Sequence, residues 1–213
     1  INVNILKNHK GLNLQENITH NYLLLLLFYN LKKTKYFKFL KRLKDKTYLE
    51  YGNPYIKIDN FIVSSDKIIS LFDLEYIEKI KNLKKKSILE IGAGSGRTSE
   101  CIMSVRDCLK YTICDIPPAI YLSYRRLKMR FPKKKIILLI DENNEKNLLK
   151  KINENDISFI FPHQLELIKK KTFDITIAID CFHEMDKKTL DYYFNNLSNN
   201  TNNFYFSIWK KTK

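Results

Sequence analysis

The chain has 213 residues, enough for one domain or a domain with an appendage, and 44% of them are hydrophobic, an ordinary globular share. Lys and Arg total 38 against 23 Asp and Glu, a formal charge of +15, but the lysines are spread along the whole chain beside abundant Asn and Ile. That spread reads as a solvated basic surface, with weak attraction to anionic glycans, lipids or nucleic acid as the alternative.

Residues 1–50 read as helical, because apolar positions in "NYLLLLLFYNL" and "YFKFLKRL" recur at spacings of three and four. The run "YLLLLLFY" at 22–29 falls far short of the roughly 20 residues of a membrane span and predicts one buried helix. Basic residues follow over 30–44, where weak contact with a membrane surface is the membrane role left open. "YGNPYIKIDNFIVSSD" at 51–66 begins with a Gly-Asn-Pro turn and becomes extended. A helix is predicted over 65–83, capped by Ser65 or Asp66.

From residue 87 strands and helices alternate. "SILEIG" is a short strand, and "RTSECIMSVRDCL" a helix with Cys101, Ile102, Val105 and Leu109 on one side. "KYTICD" is the next strand. "PPAIYLSYRRLKMRF" is a helix with Pro117 and Pro118 in its first turn and Ile120, Tyr124, Leu127 and Phe131 on its apolar face. Residues 133–156 add a strand and a helix before the third core strand, "ISFIFP". "FDITIAID", the helix "KKTLDYYFNNLSN" and the strand "NFYFSIW" complete the series. This alternation implies a parallel sheet with helices on both faces.

Three of the chain's five glycines, Gly92, Gly94 and Gly96, stand at alternate positions directly after the first of these strands. Glycine lets a ligand approach the backbone, and the helix that follows offers free N–H groups to a negative group. The dinucleotide fingerprint GxGxxG would need a glycine where Arg97 stands, although a nicotinamide site and a purely structural turn remain alternatives. Asp115 ends the second strand, 19 residues past Gly96, where a carboxylate can accept hydrogen bonds from both ribose hydroxyls of an adenosine. Ile116 beside it can pack on the adenine.

Glu90, "E-x-G-x-G-x-G" and Asp115 resemble the first two motifs of Rossmann-like S-adenosylmethionine-dependent methyltransferases. "ILEIGAGSGRT", "CDIPPAIYLSYRRL", "FPHQLELI" and "FDITIAIDCFHEM" look like the narrower group of bacterial sugar O-methyltransferases associated with surface polysaccharides. The resemblance covers roughly residues 50–213. It implies an α/β fold: a Rossmann-like, doubly wound, mainly parallel sheet with helices on both faces. Residues 1–80 would form a mainly helical cap and substrate region, and 81–213 the cofactor-binding core. It further implies S-adenosyl-L-methionine as cofactor, held by Glu90, Gly92, Ala93, Gly94, Gly96, Asp115, Ile116, His163 and Gln164. Two departures stand out. Pro162-His163-Gln164 replaces the Pro-Asn-Gln usual in that group, and the sequence stops soon after the fifth core strand, so the expectation is either that the C-terminal strand pair of such sheets is missing or that the sequence is truncated.

Methyl transfer to an alcohol requires alignment and removal of a proton, and histidine suits the role of base at neutral pH. His183, just past the fourth core strand, is the expected general base, with Glu184 orienting it or binding an acceptor hydroxyl; capping or packing is the bland alternative for His183. Asp180, Glu184 and Asp186 show no closed ligand set, so no metal is expected. Tyr51, Asn53 and Tyr55 are candidates for sugar contact beside turn-forming and packing roles. The expected acceptor is a sugar or glycan precursor, with nucleic acid disfavoured. The rival functions are a truncated or non-catalytic relative and a nucleic-acid methyltransferase. The four cysteines form no CxxC pair, and the start lacks the basic and apolar regions of a signal peptide; both features suggest reduced thiols in a cytoplasmic protein.

Overall fold

A computed structural model describes residues 3–4, 13–43 and 55–208. The chain divides into two compact units, Ile1–Tyr76 and Ile77–Lys213. In the first, β1 (Val3–Asn4), β2 (Tyr55–Ile58) and β3 (Phe61–Ser64) form an antiparallel sheet in that order. Helix α1 (Leu14–Lys32) begins with a capping box: Asn13 accepts from the Glu16 N–H, and Glu16 accepts from the Asn13 N–H. Phe28 of α1 meets Phe37, in a 3-10 turn over Phe37–Arg42, and Phe61 of β3, with ring centroids 5.5 and 5.9 Å away. Helix α2 (Ser65–Ile80) starts directly after β3 and contains the boundary between the units.

Among its described residues the second unit holds six strands: β4 (Ser87–Ile91), β5 (Lys110–Cys114), β6 (Ile136–Leu138), β7 (Ile157–Ile160), β8 (Ile175–Ile179) and β9 (Phe204–Ser207). Their order is β6-β7-β5-β4-β8-β9, and every neighbouring pair is parallel. The helices between them are α3 (Arg97–Val105), α4 (Ala119–Arg130), α5 (Glu145–Glu154) and α6 (Lys187–Asn200). Leu89, Ile91, Cys114 and Ile160 on one sheet face join Leu148 and Ile152 of α5 and Tyr193 and Leu197 of α6 in one core. On the opposite face Tyr124 of α4 stands edge-on to Phe159 of β7, with ring centroids 5.4 Å apart. Strands buried from both sides explain the near-continuous apolar runs of the sequence. The chain leaves β4 towards β5 on one side and returns through β8 on the other. A crevice opens at such a switch point, beyond the carboxyl ends of the strands.

The doubly wound α/β reading therefore holds, including the strand and helix within 133–156: β6 lies outside β7 as the sheet edge. The first unit departs from expectation. Residues 3–4 pair with β2 although 1–50 read as helical, and "IKIDNFIV" is a hairpin turning at Asp59, where φ is 51°. Asp and Asn tolerate that left-handed conformation well. The run at 22–29 is helical but buried on one face only: Leu24 and Phe28 are buried, while Tyr22, Leu23 and Leu26 are exposed. Ser64, rather than Ser65 or Asp66, accepts the Lys67 N–H, at 3.4 Å. Helix α3 stops at Val105, which leaves Leu109 exposed.

Candidate functional site

The loop after β4 is shaped by what it must pass. A Cβ on Gly92 would lie 2.6 Å from Cys181 Cβ, so the loop can cross the end of β8 only without a side chain there. Gly94 differs: φ is 56°, and a Cβ would meet nothing within 4 Å. It borders open space, which is what backbone exposed to a ligand requires. Gly96 caps α3, and Ser99 Oγ donates to its carbonyl at 3.0 Å.

That space is a cavity of about 430 Å³ lined by Gly92, Gly94, Asp115, Ile116, Ala119, Asp180, Cys181, Glu184, Met185, Thr189 and Tyr193. Its size suits a small-molecule ligand. The lining comes from the ends of β4, β5 and β8 and the start of α6, the switch-point crevice anticipated from the strand order. Asp115 is 7% exposed; its Oδ2 accepts the Gly94 N–H and its Oδ1 the Ile116 N–H, both at 2.8 Å. Burial pushes its carboxyl up from the usual carboxylate range, and the bonds from Ile116 and Gly94 oppose that rise. An ionised carboxylate offers about four acceptor positions, so each oxygen keeps one for a ligand hydroxyl. Ile116, 59% exposed, adds an apolar surface beside it.

Other residues singled out in the sequence lie elsewhere. Glu90 is buried on β4, where Tyr111 Oη donates to its Oε2 at 2.9 Å; desolvation raises its pKa to about 7. Ala93 is buried. Gln164 is fully buried in the 3-10 turn Pro162–Leu167, its Oε1 accepting the Phe161 N–H (2.8 Å) and its Nε2 donating to the Glu142 carbonyl (3.1 Å). His163 is exposed and stacks on Phe161. None of these four lines the cavity. Glu184 lines it; His183, in the same short 3-10 turn (Phe182–Glu184), does not, but its Nε2 lies 3.9 Å from Glu184 Oε1. Asp180 has a left-handed φ of 55° and pairs with Arg97 at 3.7 Å. Tyr51 and Asn53 fall outside the described residues, whereas Tyr55 lies on β2. Among the described residues no group of three or more His, Cys, Asp or Glu is placed to hold a metal ion, and no helix is long and apolar enough to cross a membrane.

Two features escaped the sequence reading. Arg126 is fully buried; its Nε donates to Glu100 Oε2 (2.7 Å) and its Nη1 to the Ser95 carbonyl and hydroxyl (3.3 and 3.2 Å). Arg130 also bonds Glu100, at 3.2 Å. These contacts tie the glycine loop and α3 to α4. The second is Tyr193, whose spacing from Leu190 and Leu197 marks the inner face of α6 and was the available signal.

No family profile matches the chain, and no curated protein matches it. Solved structures do, at low identity. One is described as an RNA methyltransferase of Pyrococcus horikoshii: 13% identity, TM-score 0.48, over 81% of this chain and 71% of that one. A chain from the complex of a methyltransferase with its activator in Haloferax volcanii gives 11% identity and a TM-score of 0.43, over 64% of this chain and 50% of that one. A third is described as an O-methyltransferase of Nostoc punctiforme: 10% identity, TM-score 0.41, over 64% of this chain and 36% of that one. The chain thus spans about half or less of the latter two.

Proposed function

We propose that this chain binds S-adenosyl-L-methionine in the cavity beside Gly94 and transfers its methyl group to a hydroxyl of a sugar or surface-polysaccharide precursor. The observation that carries the reading is the pairing of an open glycine backbone with the Asp115 carboxylate: Gly94 and Asp115 border one cavity and are joined by a 2.8 Å hydrogen bond. Asp115 would hold the ribose hydroxyls through its remaining lone pairs, Ile116 would face the adenine, and the loop at Gly94 would face the amino-acid end. The sulfonium supplies a methyl group on a good neutral leaving group. The protein's tasks are then to align the acceptor and take its proton. Glu184 reaches the cavity and His183 lies beside it, so His183 is proposed as base and Glu184 as the carboxylate that orients it or holds the acceptor. The sugar acceptor and the O-methyl outcome rest on the sequence resemblance in "DIPP" and "DCFHEM".

Calorimetry with S-adenosylhomocysteine tests the cofactor. The wild type should bind it, and Gly94→Val should show no detectable binding while remaining folded by circular dichroism; equal affinity removes the assignment. With an acceptor in hand, His183→Ala should lower turnover roughly 100-fold or more with little change in cofactor affinity. Full activity would transfer the base role to Glu184, which lines the cavity.

A further inference from the structure

Helix α6 places two adjacent tyrosines in opposite circumstances. Tyr192 Oη donates to the Pro162 carbonyl at 2.7 Å. Tyr193 is 4% exposed, with its ring 6.0 Å from Phe182 and edge-on to Tyr192 at 5.7 Å. Its hydroxyl forms no hydrogen bond among the described residues, and the residue lines the cavity together with Asp115. The hydroxyl is not sealed in the interior, so its donor is free to meet a ligand in the cavity.

Burial, and then the nearby Cys114, Asp115 and Cys181, push the phenol well above its ordinary range, so it stays a neutral donor. Asp115 and Tyr193 therefore face the same space with complementary needs. The carboxylate has spare acceptor positions, and the phenol has an unused O–H. They do not bond to each other, so both stay available to a ligand in the cavity they line.

We propose that Tyr193 and Asp115 form a two-sided clamp on a vicinal diol of the ligand. One ligand hydroxyl donates to the Asp115 carboxylate and accepts from Tyr193 Oη. The chain phenol to hydroxyl to carboxylate runs in one direction, so each bond polarises the next. On the cofactor reading above, on which this inference rests, the diol is the ribose of the adenosyl group. Tyr193 would then select ribosyl ligands over deoxy analogues.

The test is calorimetry of wild type and Tyr193→Phe with S-adenosylhomocysteine and with its 2′,3′-dideoxy analogue, plus the melting temperature of both proteins without ligand. Tyr193→Phe should weaken S-adenosylhomocysteine binding roughly three- to tenfold, the loss of one ordinary hydrogen bond. The dideoxy analogue should bind both proteins equally. The ligand-free melting temperature should stay level, because the Tyr193 hydroxyl makes no bond within the described residues. Equal S-adenosylhomocysteine affinity, or an equal loss for both ligands, overturns the clamp and leaves the cofactor reading standing. A lowered melting temperature that accompanies the loss assigns Tyr193 to packing and also overturns it. Failure of the wild type to bind S-adenosylhomocysteine at all overturns both readings.

Discussion

Asp115 after β5 and Gln164 after β7 occupy matching places, each a polar side chain just beyond the carboxyl end of a core strand. The structure treats them in opposite ways. Asp115 accepts two backbone N–H groups and still faces the cavity. Gln164 is 0% exposed, and its amide links the Phe161 N–H to the Glu142 carbonyl. A carboxylate can brace a loop and keep acceptor capacity for a ligand, whereas an amide sealed between two backbone groups stays a brace. Sequence position alone does not separate these roles; the number and direction of free lone pairs does.

Glu90 sharpens the contrast, since it is a buried carboxylate with no opening to the cavity, and it carries the largest expected effect. Its pKa rises from 4.5 to about 7 on folding. The folded state then binds the proton more tightly than the unfolded one. This group's contribution is most favourable below pH 4.5 and is lost as pH rises to about 7, a change of about 3 kcal/mol. Glu90→Gln should remove that slope, so its stability relative to wild type should grow from about pH 5 to pH 8 in urea unfolding. Parallel pH profiles would show that Glu90 stays ionised in the fold. Next in size, Asp115→Asn should weaken S-adenosylhomocysteine binding roughly 10- to 100-fold, through loss of the charged acceptor. An unchanged calorimetric constant would erase the difference between the two strand ends. Smallest on binding is Gln164→Leu. It should leave cofactor affinity within about twofold and cost about 1–3 kcal/mol of stability, because two backbone groups lose their partner. A large affinity loss without destabilisation would make Gln164 a ligand contact.

Much of the second unit was legible because strands buried on both faces and helices buried on one produce distinct periods. Six parallel strands fell where the apolar runs stood, and Gly94, Asp115, Ile116 and Glu184 line one cavity. What was not legible is non-local. "YRRLK" reads as a solvated basic helix, yet Arg126 is sealed against Glu100, 26 residues earlier, and only the packing of α3 on α4 reveals it. The hairpin at Asp59 was hidden because both its strands are apolar and the turn lacks glycine. The Asp115–Gln164 difference was invisible for the same reason: the partners of Gln164 include Glu142, 22 residues away and brought near only by the fold.

The Arg126 guanidinium grips the carbonyl and the hydroxyl of Ser95 while Glu100 holds it in place. A ligand arriving at Gly94 therefore meets a bracket already set to shape. Little conformational entropy remains to be surrendered on docking, so capture should be governed by diffusion and by the release of water from the pocket rather than by slow closure of the loop.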